Sequence, residues 1–229
     1  DVLALPSDTV HRHRAELCCT TGGPPTLCPA SEPAMARSMD ALDALIRDLP
    51  DVAGIVLRFG DTDAHRLPHL VGNDLYAPHC ARCSQLGRAD RVVNTIARCY
   101  DTVVNQHSKT LIARAWNVRP GGFHDAADLA KRIADRLPGD PADDRLILSF
   151  KFTHTDFWRY QRWNPSSLEC GGRPILYELQ CQREYEGKGA VPNWQVPLWR
   201  DGMAELPVLA DEEADLVGGL ADASKRVNL

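Results

Sequence analysis

Two carboxylates, Asp156 and Glu178, stand where apolar runs give way to polar sequence. Asp156 lies in Lys151-Phe-Thr-His-Thr-Asp-Phe-Trp-Arg-Tyr-Gln-Arg-Trp163, among His154, Phe157, Trp158, Tyr160 and Trp163. Aromatic faces beside polar groups grip sugar rings, whose C–H faces are apolar and whose edges are hydroxyls. A lone Asp in such a place would ordinarily cap a turn. What lifts Asp156 above that reading is the second carboxylate at the end of the next apolar run. Glu178 sits inside Ile175-Leu-Tyr-Glu-Leu-Gln-Cys181, where an ionised group is costly unless paired. Strand alternation puts Glu178 and Gln180 on one face and Tyr177 and Leu179 on the other. Two carboxylates from adjacent strand ends suit glycoside hydrolysis, with inversion if they stand ~6.5–9.5 Å apart around the bond or a water. A buried salt bridge from Glu178 to Arg114 or Lys151 would produce the same sequence pattern.

Three cations, Arg58, Arg114 and Lys151, come from the ends of three different apolar runs, and Trp116 follows Arg114 closely. They could clamp a substrate carboxylate, Arg through two parallel hydrogen bonds, or neutralise Asp156 and Glu178. Three cations against two acids leave room for one more negative charge, which points to an oligosaccharide carrying an acidic sugar. A separate motif, His79-Cys80-Ala-Arg-Cys83, could be half of a zinc site, but a second pair at the usual spacing is missing. Cys99, His65, His69 and His107 would complete it only through a favourable fold. Loose thiols or a local disulfide rank above a metal there, so neither a metal nor another cofactor is expected.

The elements that must position these groups alternate. Five apolar runs read as strands: Glu16–Thr21, Val52–Phe59, Lys109–Trp116, Arg145–Phe152 and Pro174–Cys181. Cys18, Cys19 and Cys181 fall inside such runs, where Cys serves as a small buried hydrophobe. Helical spacing joins Met35, Met39, Leu42, Leu45 and Leu49, then Val92, Val93, Ile96, Tyr100, Val103 and Val104, then Ala126, Leu129, Ala130 and Ile133. Weaker helical stretches follow at Val196–Met203 and Asp211–Arg226. Strand–helix alternation implies parallel βαβ units. The polar residues gather at C-terminal strand ends, and the first strand lacks a Gly-rich phosphate loop. Both favour a (β/α)8 TIM barrel over a doubly wound sheet. About five βα units are visible, so the 229 residues read as one partial barrel domain.

The bulk numbers are compatible with that domain. The chain is 44% hydrophobic and 25% charged, with a net charge of −5, which gives no general pull toward nucleic acid or acidic membranes. No apolar run approaches the ~20 residues of a membrane helix, and the first residues lack the pattern of a signal peptide. Because the sequence starts at Asp1, its native start stays open. The eight cysteines leave the redox compartment open too, and a homo-oligomer is compatible with everything above.

One resemblance is specific. Glu178-Leu-Gln-Cys-Gln-Arg-Glu184-Tyr185-Glu-Gly187 resembles the Glu-x-Gln-x-x-x-Glu-Tyr-x-Gly signature of the α-glucuronidases of glycoside hydrolase family 67. Lys151-x-x-x-x-Asp156-Phe157, Arg114-Ala-Trp116 and Val196-Pro-Leu-Trp-Arg200 are similar to further segments of that family, in the same order. The resemblance spans roughly Val52 to Met203. It implies a (β/α)8 barrel that needs no metal for catalysis and an inverting reaction in which Asp156 and Glu178 activate water. It also implies Arg114 and Lys151 as holders of the uronic acid, with Gln180, Glu184 and Tyr185 at matching signature positions. The substrate it implies is a glucuronic or 4-O-methylglucuronic acid branch on xylo-oligosaccharides. The family's general acid is a Glu four residues beyond a Lys that is Arg58 here. That count lands on Thr62, so the acid role passes to Asp61 or Asp63.

Overall fold

The computed structural model describes residues 5–20, 25–59, 80–115, 127–137, 144–152 and 164–179, with Val196, Arg200 and the pair Val227–Asn228. The chain is an α/β fold around a parallel sheet. Strands β1 (Gly54–Phe59), β2 (Thr110–Ala115), β3 (Leu146–Lys151) and β4 (Ile175–Glu178) lie side by side in sequence order, and a two-residue β5 (Val227–Asn228) pairs with β4. These are the second to fifth apolar runs of the sequence. The first run, Glu16–Thr21, is not a sheet strand. Its beginning belongs to the short helix α2 (Arg14–Leu17), which follows α1 (Ser7–Arg12), and Cys18 makes an isolated antiparallel bridge to Leu27. A short apolar run does not distinguish a buried strand from the end of a helix, and here the helix wins.

The sheet has two unlike faces, as the period of two requires. Leu57, Ala113, Leu148 and Ile175 face one another across four strands in register, and all are buried. Phe150 and Tyr177 extend that face. The opposite face carries the row Arg58, Arg114, Ser149, Leu176 and, one step further along, Lys151 opposite Glu178. Val56, on that same face, is 54% exposed. Gly54 is required where β1 begins: a Cβ there would come within 2.2 Å of the Thr110 carbonyl oxygen on β2.

The helices pack on one another in chain order. Contacts run from α3 (Glu32–Asp48) to α4 (Arg88–Tyr100), from α4 to α5 (Ala127–Arg136), and from α5 to a 3-10 turn at Pro165–Glu169. Helix α3 starts at Ser31, whose Oγ accepts from the Ala34 amide at 3.3 Å, and Pro33 suits the first turn. Its buried stripe is Ala34, Met35, Ser38, Leu42 and Ile46, while Leu45 and Leu49, expected inside, are 37% and 50% exposed. The α4 stripe of Val92, Val93, Ile96 and Cys99 continues to Val103 through a wide helical turn at Asp101–Gln106. Leu129, Ala130 and Ile133 are buried on α5 as their spacing predicts. Of the stretch Val196–Met203 only Val196 and Arg200 are described, both helical, and Asp211–Arg226 lies outside the described residues. No helix among the described residues is long and apolar enough to cross a membrane.

Candidate functional site

The C-terminal end of the sheet carries one charged residue from the last two positions of each of β1 to β4: Arg58, Arg114, Lys151 and Glu178. Arg114 on β2 and Glu178 on β4 flank β3, where Ser149 stands opposite Arg114. A small residue there leaves room for the guanidinium to reach across. Arg114 Nε donates to Glu178 Oε2 at 2.6 Å and Arg114 Nη2 donates to Oε1 at 2.9 Å. This is the two-pronged geometry that fixes both partners in orientation. Their side chains are 15% and 33% exposed, so the pair is accessible from one side. Lys151 stands directly opposite Glu178 in register and is buried, whereas Arg58 at the end of β1 is exposed.

Of the residues singled out in the sequence, the structure thus gathers Arg58, Arg114, Lys151 and Glu178 on one face at one end of the sheet. The salt bridge weighed for Glu178 is present, to Arg114. Asp61, Asp63, Trp116, Asp156, Gln180, Glu184 and Tyr185 lie outside the described residues. Behind the site, the Tyr177 hydroxyl meets Ser167 Oγ on the opposite, buried face. Burial pushes the Tyr177 phenol above its usual range, and the Ser167 bond only partly offsets this. A cavity of about 560 Å³ lies in the helix layer, lined by residues of α3 and α4 including Glu32 and Arg98, and those two are ion-paired.

A second group of functional side chains forms away from the strand ends. Cys19, Cys28, Cys80 and Cys83 are all buried, and their four sulfurs lie within 4.8 Å of one another. Backbone pairing sets the first two side by side: the Cys19 amide donates to the Thr26 carbonyl at 2.9 Å and the Cys28 amide to the Leu17 carbonyl at 2.8 Å. The other two come from a tight turn in which the Ser84 amide donates to the Cys80 carbonyl at 2.9 Å. The Ala81 amide donates to Thr20 Oγ1 at 3.2 Å, which docks this turn on the N-terminal segment. Arg82 donates to the carbonyls of Ala15 and Cys18, and the buried Arg91 to that of Cys83. Burial works against ionisation of Cys80, yet backbone amides of Cys83, Thr20 and Arg82 aimed at its sulfur bring the thiol down to about 7. Bonds from the Cys19 and Cys83 thiols pull Cys28 down, while hydrogen bonds to Cys28 and Cys83 and then burial push Cys19 up, so that it holds its proton.

No family model, curated protein or solved structure matches the chain.

The sequence pointed to Cys80 and Cys83 but not to Cys19 and Cys28 as their companions. Cys99 is buried in the main core and His107 pairs with Asp43 at 2.8 Å, while His65 and His69 lie outside the described residues. Of the two expectations, loose thiols or a Cys80–Cys83 disulfide, the first matches the structure: both cysteines are free, and their thiols meet those of Cys19 and Cys28. Cys19, expected as a buried hydrophobe within a strand, is buried but belongs to this group and not to the sheet. The available signal was a pair of pairs, Cys19/Cys28 and Cys80/Cys83, whose first spacing is too wide to stand out.

Proposed function

We infer that the chain is a glycoside hydrolase acting on an oligosaccharide with an acidic sugar, built as part of a (β/α)8 barrel. The observation that carries this reading is the Arg114–Glu178 pair at the C-terminal end of a parallel sheet, beside Lys151 and Arg58. Enzymes built on parallel barrels place their chemistry at that end. The strand order also supports a barrel: with crossovers of one hand, strands laid down in sequence put every helix on the same side. The neighbour-to-neighbour packing of α3, α4 and α5 fits such a single layer, and the Arg58–Glu178 face would then line the interior.

In this reading Glu178, with Asp156 from the segment after β3, takes a proton from water, whose oxygen attacks the anomeric carbon. Asp61 or Asp63, from the segment after β1, gives a proton to the departing oxygen, and the configuration inverts. Arg114 orients Glu178 and, with Lys151, holds the uronic acid. The test is release of uronic acid from aldouronic oligosaccharides by the full chain, beside Asp156→Ala and Glu178→Ala. Each substitution should lower the rate on the order of 10²–10⁴-fold, the usual worth of a general base. A measurable activity that neither substitution alters would sink the assignment. One observation favours a second reading, a barrel that binds uronates without turnover: Thr62 stands where the resembling family has its general acid. Binding without release, even from an activated aryl glycoside, would decide for it.

A further inference from the structure

We propose that Cys19, Cys28, Cys80 and Cys83 hold a single zinc ion as a closed structural site that staples the N-terminal segment to the start of α4. The distances carry this. Sulfur separations are 3.5 Å for Cys28–Cys83, 3.6 Å for Cys19–Cys83 and 3.8 Å for Cys28–Cys80. Four sulfurs placed tetrahedrally at a Zn–S distance of ~2.3 Å stand about 3.8 Å apart along each edge. The sulfurs are thus already spaced for one ion. They are too far apart to be bonded to one another, since a disulfide needs ~2.05 Å, and no pairing is preferred: Cys28 and Cys83 each meet two other sulfurs.

The surroundings suit the charge such a site would carry. Four thiolates around a divalent ion leave two negative charges, which must be met by donors. Backbone amides of Cys83, Thr20 and Arg82 point at the Cys80 sulfur, and that of Ala30 at the Cys28 sulfur. The Arg82 guanidinium, held by the carbonyls of Ala15 and Cys18, adds its positive charge beside the sulfurs. Outer-shell donors of this kind orient the ligands and tune the ion. Tetrahedral sulfur sites take zinc or iron, and for a given site zinc binds more tightly than ferrous iron. All four ligands come from the chain and all are buried, which leaves no open position for chemistry and marks the site as structural. The packing around it agrees. Among the described residues the four cysteines form a cluster of their own, apart from the main core, with Ala30 as the one partly buried apolar residue packed against it, so the apolar contacts described there are few. The sulfurs join positions 52 to 64 residues apart. Cys80 and Cys83 close the segment between β1 and α4, so the ion would fix that segment's far end. This inference does not rest on the glycosidase reading.

The test uses the full chain, purified under reducing conditions and analysed for metals. One zinc per chain is expected. Alkylation followed by peptide mapping should find Cys19, Cys28, Cys80 and Cys83 protected, and a chelator should expose those four together. Cobalt replacing zinc should show the absorption of tetrahedral thiolate coordination. Cys28→Ser should lower zinc content and thermal stability together. Should that variant fail to fold, the wild-type chelation and cobalt spectra decide by themselves. Stoichiometric iron in place of zinc, less than about a tenth of a zinc per chain after reconstitution, or disulfides among the four in reduced protein would each overturn the proposal.

Discussion

Asp144→Ala should be among the most damaging single substitutions in the sheet. Asp144 precedes β3 and Arg173 precedes β4, at the end of the sheet opposite Glu178. Arg173 Nη1 donates to both carboxylate oxygens, at 2.7 and 3.0 Å, and the two side chains are 2% and 4% exposed for Arg173 and Asp144. Asp144 Oδ1 also accepts from the Leu146 amide at 3.0 Å, which ties the pair to the first residue of β3. Truncation would strand a buried guanidinium and leave that amide without its acceptor. Breaking such a pair costs about 3–5 kcal/mol. In a chain of this size each kcal/mol lowers Tm by about 2–4 °C, so a fall of roughly 6–20 °C is expected. Removing both charges with Arg173→Met/Asp144→Ala should recover part of the loss, because no unpaired ion remains. The contrast is Glu178→Gln at the other end, where the side chain is 33% exposed and its Arg114 partner 15%. Water screens that pair, and a loss of about 1 kcal/mol is expected. Urea and thermal unfolding of the wild type and these variants measure all of this. Equal losses from Asp144→Ala and Glu178→Gln would refute the division into a structural end and a working end, and with it the main support for the strand-end site.

Gly54→Ala should destabilise by about 1–3 kcal/mol, the range of overpacking in a filled site, because the new methyl group meets the Thr110 carbonyl; an unchanged urea midpoint would show that β1 can shift to make room. Cys99 and Cys170 should resist iodoacetamide at pH 8 until the protein unfolds. Burial pushes the Cys99 thiol up to about 12 and Cys170 in the same direction, so the reactive thiolate is scarce at that pH. Rapid labelling of either in the native protein, read by mass spectrometry, would contradict this.

The sheet was largely legible because β1 to β4 each fall inside a short, nearly continuous apolar run, the pattern of a buried strand. Their charged ends were legible for the same reason: Arg58, Arg114, Lys151 and Glu178 interrupt runs whose only other charges, Lys109 and Arg145, stand at the first residue. What single-sequence patterns do not encode is which distant residues meet. Arg114 and Lys151 were equal candidates to pair with Glu178, and the choice fell to Arg114 because Ser149 between them is small and a guanidinium can reach diagonally across one strand. The four-thiol group needed the fold outright, since its halves lie on either side of α3 and β1. The run at Glu16–Thr21 misled because Leu17, Cys18 and Cys19 are buried without being in the sheet.

The sulfur group also orders events during synthesis. Cys28 emerges 55 residues before Cys83, and at ~5–20 residues per second that gap lasts about 3–11 s. Through that interval Cys19 and Cys28 lack the Cys80–Cys83 turn that packs on them in the fold, and their thiols stay open to oxidation. The segment carrying Cys19 and Cys28 is therefore made well before the turn that closes over it, which follows β1 and precedes β2 to β4. A burst of oxidant at that moment would trap the wrong sulfur pair, so the yield of folded protein should depend on the reducing state of the compartment more than its final stability does.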